Sequence, residues 1–113
     1  MLVTMYHSKI AYATVTQTDL FYEGSITIDE DWLDAAKIRP YEQVHVVNLN
    51  NGERLITYTI PGTRGSQIIG LNGPAARQGA VGDLLHIISY IQIDPTTESV
   101  TPTVLDLKRK AML

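Results

Sequence analysis

Side chains branched at Cβ crowd this chain: 12 threonines, 12 isoleucines and 8 valines among 113 residues. Two heavy atoms on Cβ stiffen the side chain and jam it against a helical turn, whereas a pleated strand accommodates it. A mainly β fold is therefore expected, and 113 residues supply one hydrophobic core, not two. Cysteine is absent, which removes disulfides, a thiolate nucleophile and cysteine-bound zinc, and leaves packing or subunit assembly to provide stability. No apolar run approaches the ~20 residues that span a bilayer, and the start lacks the basic-then-apolar pattern of a secretory signal. The expectation is a soluble, cytoplasmic protein with no membrane contact. With a formal net charge of −3 there is no basic field to gather nucleic acid. An anionic ligand would have to be held by a few local cations.

Strand material runs over Leu2 to Tyr6, Lys9 to Thr16, Ser25 to Ile28, Gln43 to Leu49, Glu53 to Ile60, Gln67 to Leu71, Leu84 to Ile93 and Ser99 to Leu107. In the second run Lys9, Ala11, Ala13 and Val15 alternate with Ile10, Tyr12, Thr14 and Thr16 across two faces. Asn50-Asn51-Gly52 marks a hairpin, because Asn and Gly accept positive φ. Turns are expected at Pro61-Gly62, Gly82-Asp83 and Asp94-Pro95. Asp29 caps a helix over Glu30 to Lys37, with Trp32, Leu33 and Ala36 on one face. Six to seven short strands and one or two short helices suggest a small closed barrel, which leaves no free sheet edge. The run Lys108-Arg109-Lys110 reads as a solvated end.

The sharpest chemical feature is Tyr22-Glu23-Gly24-Ser25. Gly-Ser is a common turn dipeptide, and a second copy stands at Gly65-Ser66, so by itself the pair is weak. Its chemical reading uses strain: a glycine without Cβ permits a backbone from which the next hydroxyl reaches the preceding carbonyl carbon. Attack there turns the amide into an ester. Elimination then cuts the chain and leaves a dehydroalanine, which hydrolyses to an N-terminal pyruvoyl group. Such a ketone forms a Schiff base with an amine and withdraws electrons as a carbon–carbon bond to carboxylate breaks.

With Gly24-Ser25 as the centre, ordered matches spread along the chain. They are Met5, Lys9-Ile10, Asp19-Leu20, Tyr22, Ile28-Asp29, Asn51-Gly52, Arg54, Thr57-Tyr58, Arg64-Gly65-Ser66, Asn72-Gly73, Ala75-Ala76 and Gly82-Asp83. On these residues the sequence resembles the pyruvoyl-dependent aspartate decarboxylase family over nearly its whole length. The resemblance implies a double-psi β-barrel and a homotetramer with sites between subunits. It also implies self-cleavage between Gly24 and Ser25, giving chains 1–24 and 25–113 from a single domain, 1–113. The cofactor would be a covalent pyruvoyl group made from Ser25, with no metal, and the reaction decarboxylation of L-aspartate to β-alanine for pantothenate synthesis. Whether cleavage needs a maturation helper protein is left open.

The resemblance also assigns roles. Lys9 and Arg54 would pair with the substrate carboxylates, since removing those from water without cations is costly. Tyr58 would protonate carbon after decarboxylation, and a phenol carries its proton at neutral pH. Thr57 would take part in self-cleavage and substrate binding. Thr57 and Tyr58 point to opposite faces of a regular strand, so one shared site demands a bulge, a corner or a subunit boundary. Asn72, Gly73, Pro74 and Ala75 would form a substrate-contacting loop. Pro74, standing in place of the usual Ala, deletes one backbone N–H. Ala11, Tyr12, Val47 and Arg77 are further departures from common family residues. His7, His45 and His86 are scattered singly, without metal-ligand spacing. The competing reading is an unprocessed small β-barrel that binds a ligand or partner without catalysis. An oligonucleotide-binding barrel fits poorly, because no strand interleaves basic with aromatic residues.

Overall fold

A computed structural model describes residues 1–113. The chain runs β1 (Val3–Thr14), β2 (Gln17–Asp19), β3 (Ser25–Asp29), α1 (Glu30–Ala36), β4 (Gln43–Asn48), β5 (Arg54–Gly62) and β6 (Ile69–Asn72). A 3-10 turn (Gly73–Arg77) leads to β7 (Leu84–Ile93), β8 (Thr103–Asp106) and β9 (Ala111–Met112). Hydrogen bonds order the strands β2-β6-β3-β5-β4-β7-β1-β8-β9. The fold is mainly β, as the β-branched excess requires, and consistent with a small barrel.

Several details depart from expectation. The hydrogen-bonded order has two ends, β2 and β9, so the barrel is not closed by its ladder; α1 packs against β1, β3, β5 and β8 and bridges the two halves. The strands number nine because β2 and β9, three and two residues long, are too short to show alternation in sequence. Lys108-Arg109-Lys110 are exposed, as expected, but after them the chain returns and pairs Met112 with Leu105. Pro61-Gly62 is not a turn but the end of β5, where it pairs with Ile28 and Asp29. The strand alternation that lets Asp29 N–H reach Ile68 O turns the Pro61 nitrogen away from β3. It then faces the edge that β4 stops covering at Tyr58, where a missing donor breaks no ladder bond.

The two N-terminal runs are one strand, interrupted by irregularities in its pairing with β7. Tyr6 faces Tyr90 while Ser8 faces Ser89, and Ile10 faces Ile87 while Ala13 faces Leu85. Each step inserts one extra residue in β1, and Tyr12 adopts φ 60° within the second. The strict alternation expected there fails, since Ile10, Ala11 and Ala13 are all buried. The core of Ile10, Ile26, Ile28, Leu33, Val44, Val46, Ile69, Leu71, Leu85 and Ile87 is fully buried, each side chain contributing about 1.5–3 kcal/mol.

The expected helix forms with its expected cap. Asp29 accepts the Asp31 N–H at 2.9 Å, and Leu33 and Ala36 are buried. The same buried carboxylate also accepts from Gly65 N–H at 3.2 Å and Gln67 N–H at 2.8 Å, which ties α1 to the loop before β6. The Asn50-Asn51-Gly52 hairpin joins β4 to β5 with Gly52 at φ 77°, and Gly82 turns at φ 95°.

Candidate active site

Ser25 opens β3, flanked by β6 and β5. It pairs with Asn72, the last residue of β6, and this register drives the side chain of Asn72 onto the serine hydroxyl. Asn72 Nδ2 donates to Ser25 Oγ and to Thr27 Oγ1, both at 2.9 Å, and Ser25 Oγ donates to Glu23 O at 3.4 Å. Ser25 is completely shielded from solvent and Asn72 nearly so. An amide donor on Oγ and a carbonyl taking the hydroxyl proton hold the oxygen in place and leave it one free lone pair.

The strain expected at Gly24 lies one strand away. Gly24 is not in the left-handed region, and a Cβ on it would meet only Pro74 Cδ at 3.5 Å, an ordinary contact. Gly73 has φ 64°, and a Cβ there would fall 2.6 Å from Tyr22 O and 2.8 Å from Gly24 N. The backbone at Gly24 is thus cradled against a glycine that no other residue can replace without displacing it.

Gly24, Leu55, Ile56, Thr57, Tyr58, Pro74, Ala75 and Gln78 line a cleft of about 320 Å³. Thr57 and Tyr58 share it without a bulge, since β4 pairs regularly with both. Strand divergence explains how. The β3–β5 ladder starts only at Ile26 and Thr59, so one register step earlier Gly24-Ser25 leaves β5 beside Thr57-Tyr58 and opens a gap.

Of the residues expected in one site, the fold gathers Gly24, Ser25, Thr57, Tyr58, Asn72, Gly73, Pro74 and Ala75. It does not bring Arg54 or Lys9 into the cleft lining. Arg54 begins β5, exposed, its Nη1 3.2 Å from His45 Nδ1. The partnership with His45 is not apparent in sequence, but the hairpin register supplies it: Val47 faces Arg54 and His45 stands two residues away on the same face. Lys9 stands on β1, its Nζ 5.4 Å from the centre of the Tyr6 ring. Neither cation has a carboxylate partner, whereas Arg64 has three: Glu30, Asp31 and Asp34.

His86, one of the three scattered histidines, lies near Lys9. Its Nδ1 accepts the Tyr12 N–H at 3.3 Å, and burial first, then the positive charge of Lys9, lowers its pKa, while Asp106 opposes this. Gln78 is a cleft residue that the sequence does not announce: a position after a Pro-Ala-Ala-Arg turn carries no signal of where its side chain faces.

No group of three or more His, Asp or Glu side chains is placed to hold a metal ion. The residues present do fit a group made from Ser25, because its hydroxyl is buried, held by Asn72, and next to the Gly73 cradle. No helix is long and apolar enough to cross a membrane.

Comparison with known proteins points to one family. The model of a family described as aspartate decarboxylase matches residues 1–113. The chain is 60% identical over 108 residues to the aspartate 1-decarboxylase of Coxiella burnetii, covering 96% of this chain and 97% of that one. It is 58% identical over 108 residues, with the same coverage, to the aspartate 1-decarboxylase of Francisella tularensis subsp. holarctica. It is 54% identical over 96 residues to that of Salinibacter ruber, covering 85% of this chain and 66% of that one.

Proposed function

The chain belongs to the aspartate decarboxylase family, and from that membership we propose that it converts L-aspartate to β-alanine and CO2 with a pyruvoyl group made from its own Ser25. One observation carries the reading beyond the family: the Ser25 hydroxyl is buried between the Asn72 amide and the Glu23 carbonyl, at the edge of a cleft lined by Thr57 and Tyr58.

Maturation uses the chain's own atoms. Ser25 Oγ attacks the Gly24 carbonyl carbon, the C–N bond breaks, and the Ser25 nitrogen is released as an amine while Gly24 is held as an ester. Asn72 keeps Oγ in place, and Thr57, alongside Gly24, can donate to the oxyanion. Loss of the Ser25 α-proton then expels the Gly24 carboxylate, and water replaces the nitrogen, which leaves as ammonia. The products are residues 1–24 and a chain beginning at position 25. A pyruvoyl carbonyl at position 25, beside Asn72 and the Gly73 cradle, would supply an electrophile for an amine and a sink for the electrons of a breaking carbon–carbon bond.

The rest falls to the surrounding side chains. Tyr58 holds a phenolic proton in the cleft beside position 25 and delivers it to carbon after CO2 leaves. Arg54, with no acid partner, grips a substrate carboxylate through its guanidinium fork. Lys9 serves the second carboxylate from a neighbouring copy. Within one chain, Lys9, Ile88, His45 and Ile56 form a straight row across β1, β7, β4 and β5. That row sets the Lys9 backbone about 14 Å from Ile56 at about 4.8 Å per strand, and Lys9 does not line the cleft of its own chain. A homotetramer in the cytoplasm, with sites between subunits, fits this division.

The test is intact mass of the purified chain, alone, followed by incubation with L-aspartate. Two fragments that divide at Gly24-Ser25, and β-alanine as product, are expected. A single uncut mass and no β-alanine would return the chain to the reading of a ligand-binding barrel.

A further inference from the structure

Gln78 shares the cleft with Gly24, Thr57 and Tyr58. Its backbone is pinned: the N–H donates to Ala75 O at 3.0 Å, and the carbonyl accepts from Asn48 Nδ2 at 3.2 Å and from Asn51 Nδ2 at 3.0 Å. Its side chain is not. Oε1 is shut off from solvent and has no donor, one of only two buried side-chain polar atoms in the protein left in that state. The other is Ser8 Oγ, on β1 and outside the cleft.

A buried amide oxygen without a donor is unfavourable, and native structures rarely leave one unexplained. The chain offers two hydroxyl donors in the cleft, Thr57 and Tyr58, and neither reaches Oε1. The missing donor can come from what the cleft binds. L-Aspartate has two carboxylates, which only accept, and one ammonium, which only donates. An unpaired acceptor on the wall therefore matches one group of the substrate, the amine that must approach position 25. The terminal torsion of glutamine is soft, so Oε1 can turn toward an incoming ammonium without moving a backbone held by three hydrogen bonds.

We propose that Gln78 is a substrate-binding residue whose side-chain oxygen accepts a hydrogen bond from the α-ammonium of L-aspartate, positioning the amine at the Ser25-derived end. This rests on the function proposed above and extends it by separating two recognition tasks. The cations take the carboxylates, and a neutral acceptor reads the amine.

Succinate separates these tasks, because it keeps both carboxylates and lacks the amine. Gln78→Met retains size and removes the acceptor. In the processed variant, verified by intact mass, the KM for L-aspartate should rise about tenfold while kcat stays within about twofold. The L-aspartate concentration that half-saturates hydride trapping of the pyruvoyl chain, read by mass, should rise equally, and the inhibition constant of succinate should not move. Gln78→Glu keeps an acceptor and adds a negative charge; it should hold the KM for L-aspartate near wild type and weaken succinate by about tenfold.

The inference is overturned if Gln78→Met weakens succinate as much as L-aspartate, which would make the effect a carboxylate contact or general damage. It is equally overturned if neither ligand responds, or if Gln78→Glu impairs L-aspartate as severely as Gln78→Met. Wild-type behaviour tells the two failures apart: a wild-type chain that neither cleaves nor forms β-alanine removes the proposed function and this inference together. A working wild type with indifferent variants removes only Gln78.

Discussion

Gly24-Ser25 and Gly65-Ser66 are the same dipeptide in opposite settings. Gly65 adopts φ 78° with no atom within 4 Å of where a Cβ would sit, and Ser66 is exposed, its hydroxyl donating to Thr63 O in a surface turn. Gly24 has no positive φ, but Ser25 is buried and its oxygen receives an amide hydrogen from a different strand. The copy with the left-handed glycine is the ordinary turn. The copy to which we assign chemistry is the one whose neighbours over-determine its position: Asn72 on the hydroxyl, Gly73 beneath the backbone, Thr57 and Tyr58 alongside. The two pairs differ in what holds them, and the proposed reactivity rests on that rather than on the torsion angle of the glycine.

Removing the two hydroxyls separately gives the largest contrast. Ser25→Ala should leave a single full-length mass and no β-alanine, while Ser66→Ala should be cut between Gly24 and Ser25 as in wild type. Fragments from Ser25→Ala, or a cleavage site moved to residue 65, would reverse the comparison.

Tyr58→Phe keeps the ring in the cleft and deletes its proton. Chain cleavage should persist, because Ser25 and Asn72 are untouched, and kcat for β-alanine formation should drop by about 10²–10⁴-fold, the usual value of a positioned acid. A processed mutant working at the wild-type rate would assign protonation to another group.

Adding one methyl to each neighbouring glycine compares the cradles. Gly73→Ala forces a Cβ to within 3 Å of Tyr22 O and of Gly24 N and Cα, so a loss of about 2–4 kcal/mol is expected, together with slowed or absent cleavage. Gly65→Ala meets no atom and should lose only about 1–2 kcal/mol from its left-handed backbone, with cleavage unaffected. Denaturant midpoints and intact masses of both variants read the two effects. Equal losses would mean that contact at Gly73 does not matter.

The smallest effect belongs to Arg64, beside the inert pair. Hydrogen bonds to Asp31 and then Asp34 raise its pKa above the usual arginine value, yet all the groups are largely open to solvent. Arg64→Gln should lower Tm slightly in low salt, as Glu30, Asp31 and Asp34 lose their common counter-charge. The difference should vanish in high salt, where screening removes the repulsion. A loss that persisted in high salt would show this side of the molecule to be built as tightly as the Ser25 corner.

Much of the fold was readable locally. β-Branched alternation located the seven longer strands, Asp29 marked the helix start, and Asn51-Gly52 marked the hairpin, because each depends on torsional preferences of a few adjacent residues. The extra residues in β1, the short strands β2 and β9, and Pro61 inside β5 were not readable, since each depends on a partner distant in sequence. The same boundary divides the site. Ordered matches around Gly24-Ser25, Arg54 and Thr57-Tyr58 named the chemistry without coordinates, because family resemblance is itself a linear pattern. Only the tertiary structure placed Asn72 on the Ser25 hydroxyl, moved the tightly cradled glycine to Gly73, kept Lys9 out of the cleft lining, and left the Gln78 oxygen without a donor. Propensity acts between neighbours along the chain, whereas hydrogen-bond satisfaction and steric exclusion act between whatever atoms the fold brings within a few ångströms.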